Sequence, residues 1–368
     1  MTIIITDDDV KRLLPMNDCI EAMRVAFRDF SMGSAVNRPR IRYLAEHPDA
    51  DRKYFANIHV GAVPSYGVAC VRAGSHIIKP PSETVTRRLY ENPQAFNSGL
   101  VLLYSIETAQ LIAFLHEFHI SGMRVAATSA VAVDHIARPD AAKLGLFGTG
   151  KQAHTAVEAM ALVRPFKRVN VYSPSVEHRQ AFAREMTRTG LEVVAVDDAR
   201  AVIDGADVIC CATSSLKPVL DGDWLEEGQV VITIANSDIT NRNKRSEVDV
   251  CTYERADAII VTDWDSVVGS DQTEILDPLA GGIIRREQIH ELKDIVAGKV
   301  QIKQPPRGTK ADGIIYYKNN AGIAIQFAAA GGLVYRRAIA EGNNKVIPSE
   351  WLGTDLSAFY KVGFRPSP

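Results

Sequence analysis

The chain has 368 residues, enough for two domains and a large buried core. Hydrophobic residues make up 46% of it and charged residues 23%, and its formal net charge of −2 leaves no electrostatic footprint for nucleic acid or an anionic membrane. No apolar run reaches transmembrane length, MTIIITDDDV lacks the basic start of a signal peptide, and the five cysteines contain no C-x-x-C, so a cytoplasmic protein with reduced thiols and no metal site is expected.

Residues 3–5 predict a short strand and then an amphipathic helix. Thr6 is its expected cap, and Asp7, Asp8 and Asp9 suit the positive end of the helix dipole. Val10, Leu13 and Leu14, then Ile20, Met23 and Phe27 beyond Pro15, supply the apolar stripe. From Pro39 the pattern turns to strands at 40–44, 54–60, 66–74, 100–105 and 111–115. The piece 79–98, with three prolines and several charges, predicts a loop or lid over a site. Alanine-rich 121–137 predicts a helix leading into the second half of the chain.

That half begins with Leu144-Gly145-Leu146-Phe147-Gly148-Thr149-Gly150-Lys151-Gln152-Ala153-His154. An apolar strand runs into two glycines and a helix-forming stretch. Gly148 permits the tight turn, Gly150 admits a pyrophosphate against the backbone, and Ala153 is the small residue that packs helix on strand. Lys151 and Gln152 stand at the helix N-terminus; the plainer reading is surface residues whose backbone alone meets phosphate. Strands at 143–148, 168–173, 191–196, 207–213, 229–235 and 258–262 alternate with helical stretches such as 177–188, which predicts a doubly wound parallel sheet. A last long helix at 322–342 is expected to cross back to the first half. The fold class is therefore α/β: a Rossmann-type dinucleotide-binding domain, 126–314, inserted in a discontinuous α+β substrate domain, 1–125 plus 315–368.

An acid at the end of the second strand typically binds the ribose 2′-hydroxyl of NAD. Here that strand ends Tyr172-Ser173-Pro174-Ser175, with His178 and Arg179 beyond, and the first carboxylate, Glu177, already lies in the helix. Hydroxyls at Ser173 and Ser175 with a cation at Arg179 suit a 2′-phosphate, so NADP is expected over NAD. The alternative for Arg179 is a solvated helix face.

Gly148-Thr149-Gly150-Lys151-Gln152-Ala153 resembles the G-x-G-x-Q-A signature of the ornithine cyclodeaminase/mu-crystallin family. Ser121-Gly122-Met123-Arg124-Val125-Ala126-Ala127 resembles its T-x-x-R-T-A-A segment, and Ala212-Thr213-Ser214-Ser215 its A-T-S-S segment beside the cofactor. The resemblance spans about 1–342 and implies a homodimer formed through the substrate domain. It also implies a pocket between the domains for a nicotinamide and an α-amino or α-imino acid. On the same resemblance Arg40 and Arg124 meet the substrate carboxylate, and Asp238, in Ala235-Asn236-Ser237-Asp238, is the catalytic acid. Without it Asp238 reads as a turn former, and Arg40 is hard to separate from Arg38 and Arg42 on the same strand face.

One departure stands out. Where the family has lysine in a G-V-K strand, alignment of Gly67-Val68-Ala69-Cys70-Val71-Arg72 on its end puts Arg72. Arginine clamps a carboxylate but does not shuttle a proton, so proton transfer falls to Asp238, a water, or a histidine such as His59 or His76. A structural ion pair is the other reading of Arg72. Lys318-Asn319-Asn320-Ala321-Gly322 stands where the family has K-S-x-G, bordering the nicotinamide.

The expected activity is an NAD(P)H-dependent reductase of an α-imino acid, or an amino-acid dehydrogenase by reductive amination, with no nucleic-acid or membrane partner. Alternatives are a cyclodeaminase that recycles its NAD, and a non-catalytic, crystallin-like NADP-binding protein. Arg40, Arg72 and Arg124 together suit a dicarboxylate such as iminosuccinate, or a monocarboxylate with some arginines paired to protein acids.

Overall fold

The computed structural model describes residues 1–79, 89–90 (backbone), 98–237, 244–306, 313–319, 322–342 and 344–354. Two sheets organise it. The first is mixed, in the order Lys345–Ile347, Thr2–Ile5, Leu111–His116, Leu100–Ser105, Val68–Lys79, Lys53–Val63, Val36–Asn37, and Ile41–Glu46 also pairs with Lys53–Val63. The second is wholly parallel, in the order Glu192–Ala195, Arg168–Tyr172, Lys143–Phe147, Val208–Cys211, Val230–Thr233, Ile314–Lys318, Ala256–Val261, Ile289–Glu291. Its strand order reverses beside Lys143–Phe147, the topological switch where doubly wound folds take their ligand.

The helix expected at the N-terminus is two. Asp7–Leu13 is capped by Thr6, whose hydroxyl accepts from the Asp9 amide at 3.2 Å while the Asp9 carboxylate accepts from the Thr6 amide at 3.0 Å. Pro15, which lacks an amide donor, then starts the separate helix Met16–Ser31. The long helices Phe118–Ile136 and Ala324–Glu341 pack on Met16–Ser31, and Ala324–Glu341 also covers strands Lys53–Val63 and Val68–Lys79. Its Ala328-Ala329-Ala330-Gly331-Gly332 run is fully buried, since only small side chains let a helix lie this close to a sheet.

The expected strands are present with shifted ends. The strand expected at 66–74 starts at Val68, because Pro64–Tyr66 forms a single 3₁₀ turn closed by Gly67. The expected domain boundary at 314/315 needs correction. Ile314–Lys318 is an interior strand of the second sheet, paired with both Val230–Thr233 and Ala256–Val261. Its aromatic and β-branched IIYYK run is buried on both faces, the signature of a central parallel strand. The return to the first sheet therefore begins after Lys318. The segment 79–98 falls largely outside the described residues.

Candidate functional site: a dinucleotide cleft beside an arginine cluster

Strand Lys143–Phe147 ends in Gly148, whose φ of +102° favours glycine, and an added Cβ would stand 2.4 Å from the Ala212 carbonyl oxygen. Gly150 caps helix Lys151–Ala161, and nothing lies within 4 Å of where its Cβ would be. That gap is a backbone-lined cradle at a helix N-terminus, which suits a pyrophosphate. It opens into a cleft of about 950 Å³ lined by Gly148, Thr149, Gly150, Lys151, Gln152, Ser173, Ser175, Ala212, Thr213 and Ser214, all expected from the sequence, and also by Tyr172 and His178. Ala153 lies beneath, fully buried against the core. A dinucleotide fits this set of groups.

Arg179 departs from expectation. It is buried and does not line the cleft. Its guanidinium turns back to donate to the Ser173 carbonyl at 3.0 Å and to Asp197 at 2.5 Å, over the Tyr172 ring. One helical turn decides this: Ser175 caps Val176–Met186, so position 179 faces the sheet and His178 faces the cleft.

The ends of the central strands are fastened by buried carboxylates that the sequence did not announce. Glu247 accepts from the Thr213 amide at 2.7 Å and hydroxyl at 2.8 Å, and from the amides of Ile234 at 3.0 Å and Ala235 at 2.8 Å. Glu274 accepts from the Ser237 amide at 3.1 Å and pairs with Lys318 at 3.3 Å. Lys318 is fully buried and also donates to the Ala235 carbonyl, so it braces this loop from below. Burial lowers its proton affinity, and Glu274 opposes that. Asn319 reaches the Val125 carbonyl at 3.1 Å and Ser129 at 3.0 Å, tying the strand to helix Phe118–Ile136. Asp238 lies outside the described residues; its neighbour Ser237 is held by Glu274 and by Arg42, which donates to the Ser237 carbonyl at 3.1 Å.

Helix Phe118–Ile136 rests on the cleft. Lys151 donates to the Phe118 carbonyl, and a Cβ on Gly122 would sit 3.1 Å from the Lys151 side chain. Two residues further along the helix lies Arg124. It is 5% exposed and donates to the neutral amide of Gln326 at 2.7 Å, while Gln326 donates to Thr128 at 2.7 Å. Burial, with help from Arg72 and against Glu117, pushes the Arg124 guanidinium down to about 9. A buried cation held by a neutral partner is a site prepared for an anion.

Arg72 and Arg124 share one ring, with guanidinium carbons 5.5 Å and 4.6 Å from the Phe327 centroid. Arg72 is bound to Glu117 through Nε at 3.1 Å and Nη2 at 2.8 Å, and to the Asn57 carbonyl at 3.2 Å. The structural ion pair weighed for Arg72 is thus present, and much of its fork is engaged by protein. Burial raises the Glu117 carboxyl, but the charge and hydrogen bonds of Arg72 outweigh that and leave it below the usual carboxylate range. Arg40 is buried just before strand Ile41–Glu46, and its charge, like those of Arg42, Arg72 and Arg124, acts on His59. The three arginines expected at the substrate therefore converge. His76 is half-buried and stacks on Phe55 at 6.3 Å. Glu117, Gln326 and Phe327 were not anticipated; Glu117, an acid between apolar strand and helix in His116-Glu117-Phe118-His119, was the one visible signal.

This fold and cleft define a two-part, Rossmann-containing α/β protein with a cleft suited to a dinucleotide and a separate cluster of buried arginines. Residues 1–342 match the model of the ornithine cyclodeaminase/mu-crystallin family, and the chain belongs to that family. An uncharacterized cyclodeaminase of Sinorhizobium fredii is 25% identical, over 91% of this chain and 95% of that one. The Δ1-pyrroline-2-carboxylate reductase of Bacillus cereus is also 25% identical, over 94% and 99%. Among solved structures, the Thermococcus litoralis Δ1-pyrroline-2-carboxylate reductase in complex with NADH and L-proline superimposes with a TM-score of 0.79 at 24% identity, covering 94% of this chain and all of that one. No helix among the described residues is long and apolar enough to cross a membrane.

Proposed function

We propose that the protein is an NAD(P)H-dependent reductase of an α-imino acid, whose reverse reaction is an amino-acid dehydrogenation. The observation that carries this reading is Arg124: a buried guanidinium bonded to a neutral amide, two residues along the helix from Gly122, which abuts Lys151 of the nucleotide cleft. Relatives named as imine reductases support it.

Gly148, Thr149, Gly150, Lys151, Gln152 and Ala153 would hold the pyrophosphate, with Ala212, Thr213 and Ser214 along the nicotinamide half. The bound cofactor supplies the hydride. Arg124 and Arg40 hold the α-carboxylate, which fixes the C=N carbon relative to the cleft. Arg72, locked to Glu117, is a positioning residue that keeps Phe327 in place, rather than the carboxylate clamp expected at that position. Asp238 is assigned the proton on the substrate nitrogen, since an iminium accepts hydride better than an imine. NADP is favoured over NAD by Ser173, Ser175 and His178 at the adenosine end and by the absence of an acid at 173–175; Arg179 no longer contributes to that preference. A homodimer through the outer face of the first sheet would cover the exposed Ile4, Ile41, Tyr43 and Leu100.

The test follows NADPH and NADH oxidation with α-keto acids plus ammonia or methylamine, and with cyclic imines, for wild type and Asp238→Ala. Oxidation with one imino acid, lost in the variant, is expected. Ammonia release from ornithine with catalytic NAD⁺, and no imine turnover, would instead establish the cyclodeaminase.

A further inference from the structure

His59 is the polar group in the arginine cluster that this chemistry leaves unused. It lies on strand Lys53–Val63, directly across from Arg72 on Val68–Lys79. Its ring sits 5.6 Å from Phe327, the same ring that carries Arg72 and Arg124. The residue is 2% exposed, and neither Nδ1 nor Nε2 has a hydrogen-bond partner among the described residues. Nε2 lies 2.5 Å from where a Cβ on Gly322 would stand, so the chain opposite leaves room for this ring. A buried imidazole with both nitrogens unmet is unfavourable until a ligand or water supplies a partner.

The charges around it state what kind of partner. Arg72 faces it from one neighbouring strand, Arg40 and Arg42 from the other side, and Arg124 from the helix; Glu117 is bonded to Arg72. Burial and those four cations hold the ring neutral, well below its ordinary pKa. A neutral imidazole keeps one N–H. In a positive field that N–H is best satisfied by an anionic oxygen, and the ring is poorly suited to taking up a proton.

We propose that His59 is a substrate-binding residue that donates a ring N–H to an oxygen of the carboxylate drawn in by Arg124 and Arg40, and that it is not the proton carrier. This rests on the imino-acid reading above. It adds a residue to the substrate site and assigns it a role opposite to the acid–base one that a histidine near a reacting nitrogen invites.

The experiment uses the NADP⁺-loaded full chain and pyrrole-2-carboxylate, a planar carboxylate, as the calorimetric probe. Wild type, His59→Leu and His59→Gln are compared, and the same variants are assayed for turnover across pH. His59→Leu is expected to weaken the probe by about tenfold or more, with NADP⁺ affinity and the shape of the pH–kcat/KM profile unchanged. His59→Gln, which keeps a donor, is expected to recover part of the loss and guards against a folding defect in the first variant. Probe affinity unchanged in both variants would overturn the proposal. Loss of an ionisation from the pH profile would overturn it too, by making His59 the proton carrier. If wild type binds no such carboxylate and turns over no imino acid, the imino-acid reading falls first and His59 falls with it.

Discussion

At the scale of single residues, the site is built from charges placed where water cannot reach them. Arg124 illustrates the energetic logic: its hydrogen-bond acceptor is a neutral amide, so on the proposed reading a substrate carboxylate would complete its electrostatics. Arg124→Gln should lower kcat/KM by about ten- to a hundredfold, the effect of a charge-assisted hydrogen bond of about 1.5–3 kcal/mol, chiefly through substrate KM. Steady-state kinetics at saturating cofactor checks this. Glu117 gives a pH prediction. Its carboxyl is depressed in the folded state, so its contribution is complete above the ordinary carboxylate value and is lost as pH falls through the lower folded value. Glu117→Gln should therefore flatten the acid limb of a Tm-versus-pH curve, and at neutral pH it should cost about 3–5 kcal/mol by leaving Arg72 buried without its counter-charge. The thiols are a third case. Burial raises Cys19 and Cys70 to about 12, and Cys210 and Cys211 are raised as well. Only Cys251 is partly exposed, and it is raised to about 11 by desolvation and its contact with Asp223. Mass spectrometry after brief alkylation of native protein at pH 7.5 should find Cys251 at most.

At the scale of elements, the strand–turn–helix at Gly148 was legible because its requirement is local. A φ of +102° and a carbonyl at 2.4 Å admit glycine and little else, and two glycines before a helix announce that geometry. Gly148→Ala should abolish cofactor binding measured by NADPH fluorescence. The adjoining turn carries a second prediction. Ser173 lies where an acid would meet a ribose, so Ser173→Asp should shift the ratio of kcat/KM toward NADH over NADPH. Arg179 was misjudged for a reason periodicity explains: the residue was counted along the chain, but its direction was fixed by where Ser175 capped the helix. Pairings between distant segments left no such trace. Nothing around Glu117 names Arg72 as its partner, and nothing around Gln326 names Arg124, because each pair is brought together only when helices dock on the sheet. The arginines were readable through the family resemblance; their partners were polar residues of ordinary appearance.

At the scale of the whole molecule, Ile314–Lys318 matters most. It is flanked by strands that precede it by more than fifty residues on each side, Val230–Thr233 and Ala256–Val261. The order in which the chain is made and the order in which the sheet is assembled therefore disagree. As the polypeptide emerges, Ala256–Val261 and Ile289–Glu291 can pair only with each other, and Val230–Thr233 presents an open, apolar edge until residue 318 has left the ribosome. Such delayed, long-range closure slows folding and exposes the intermediate to association. A chain ended at residue 313 should be recovered mainly in the insoluble fraction, with the full chain soluble under identical expression. The same strand gives the nucleotide half a late closing step, after which Lys318 at its end can brace the Ala235 loop.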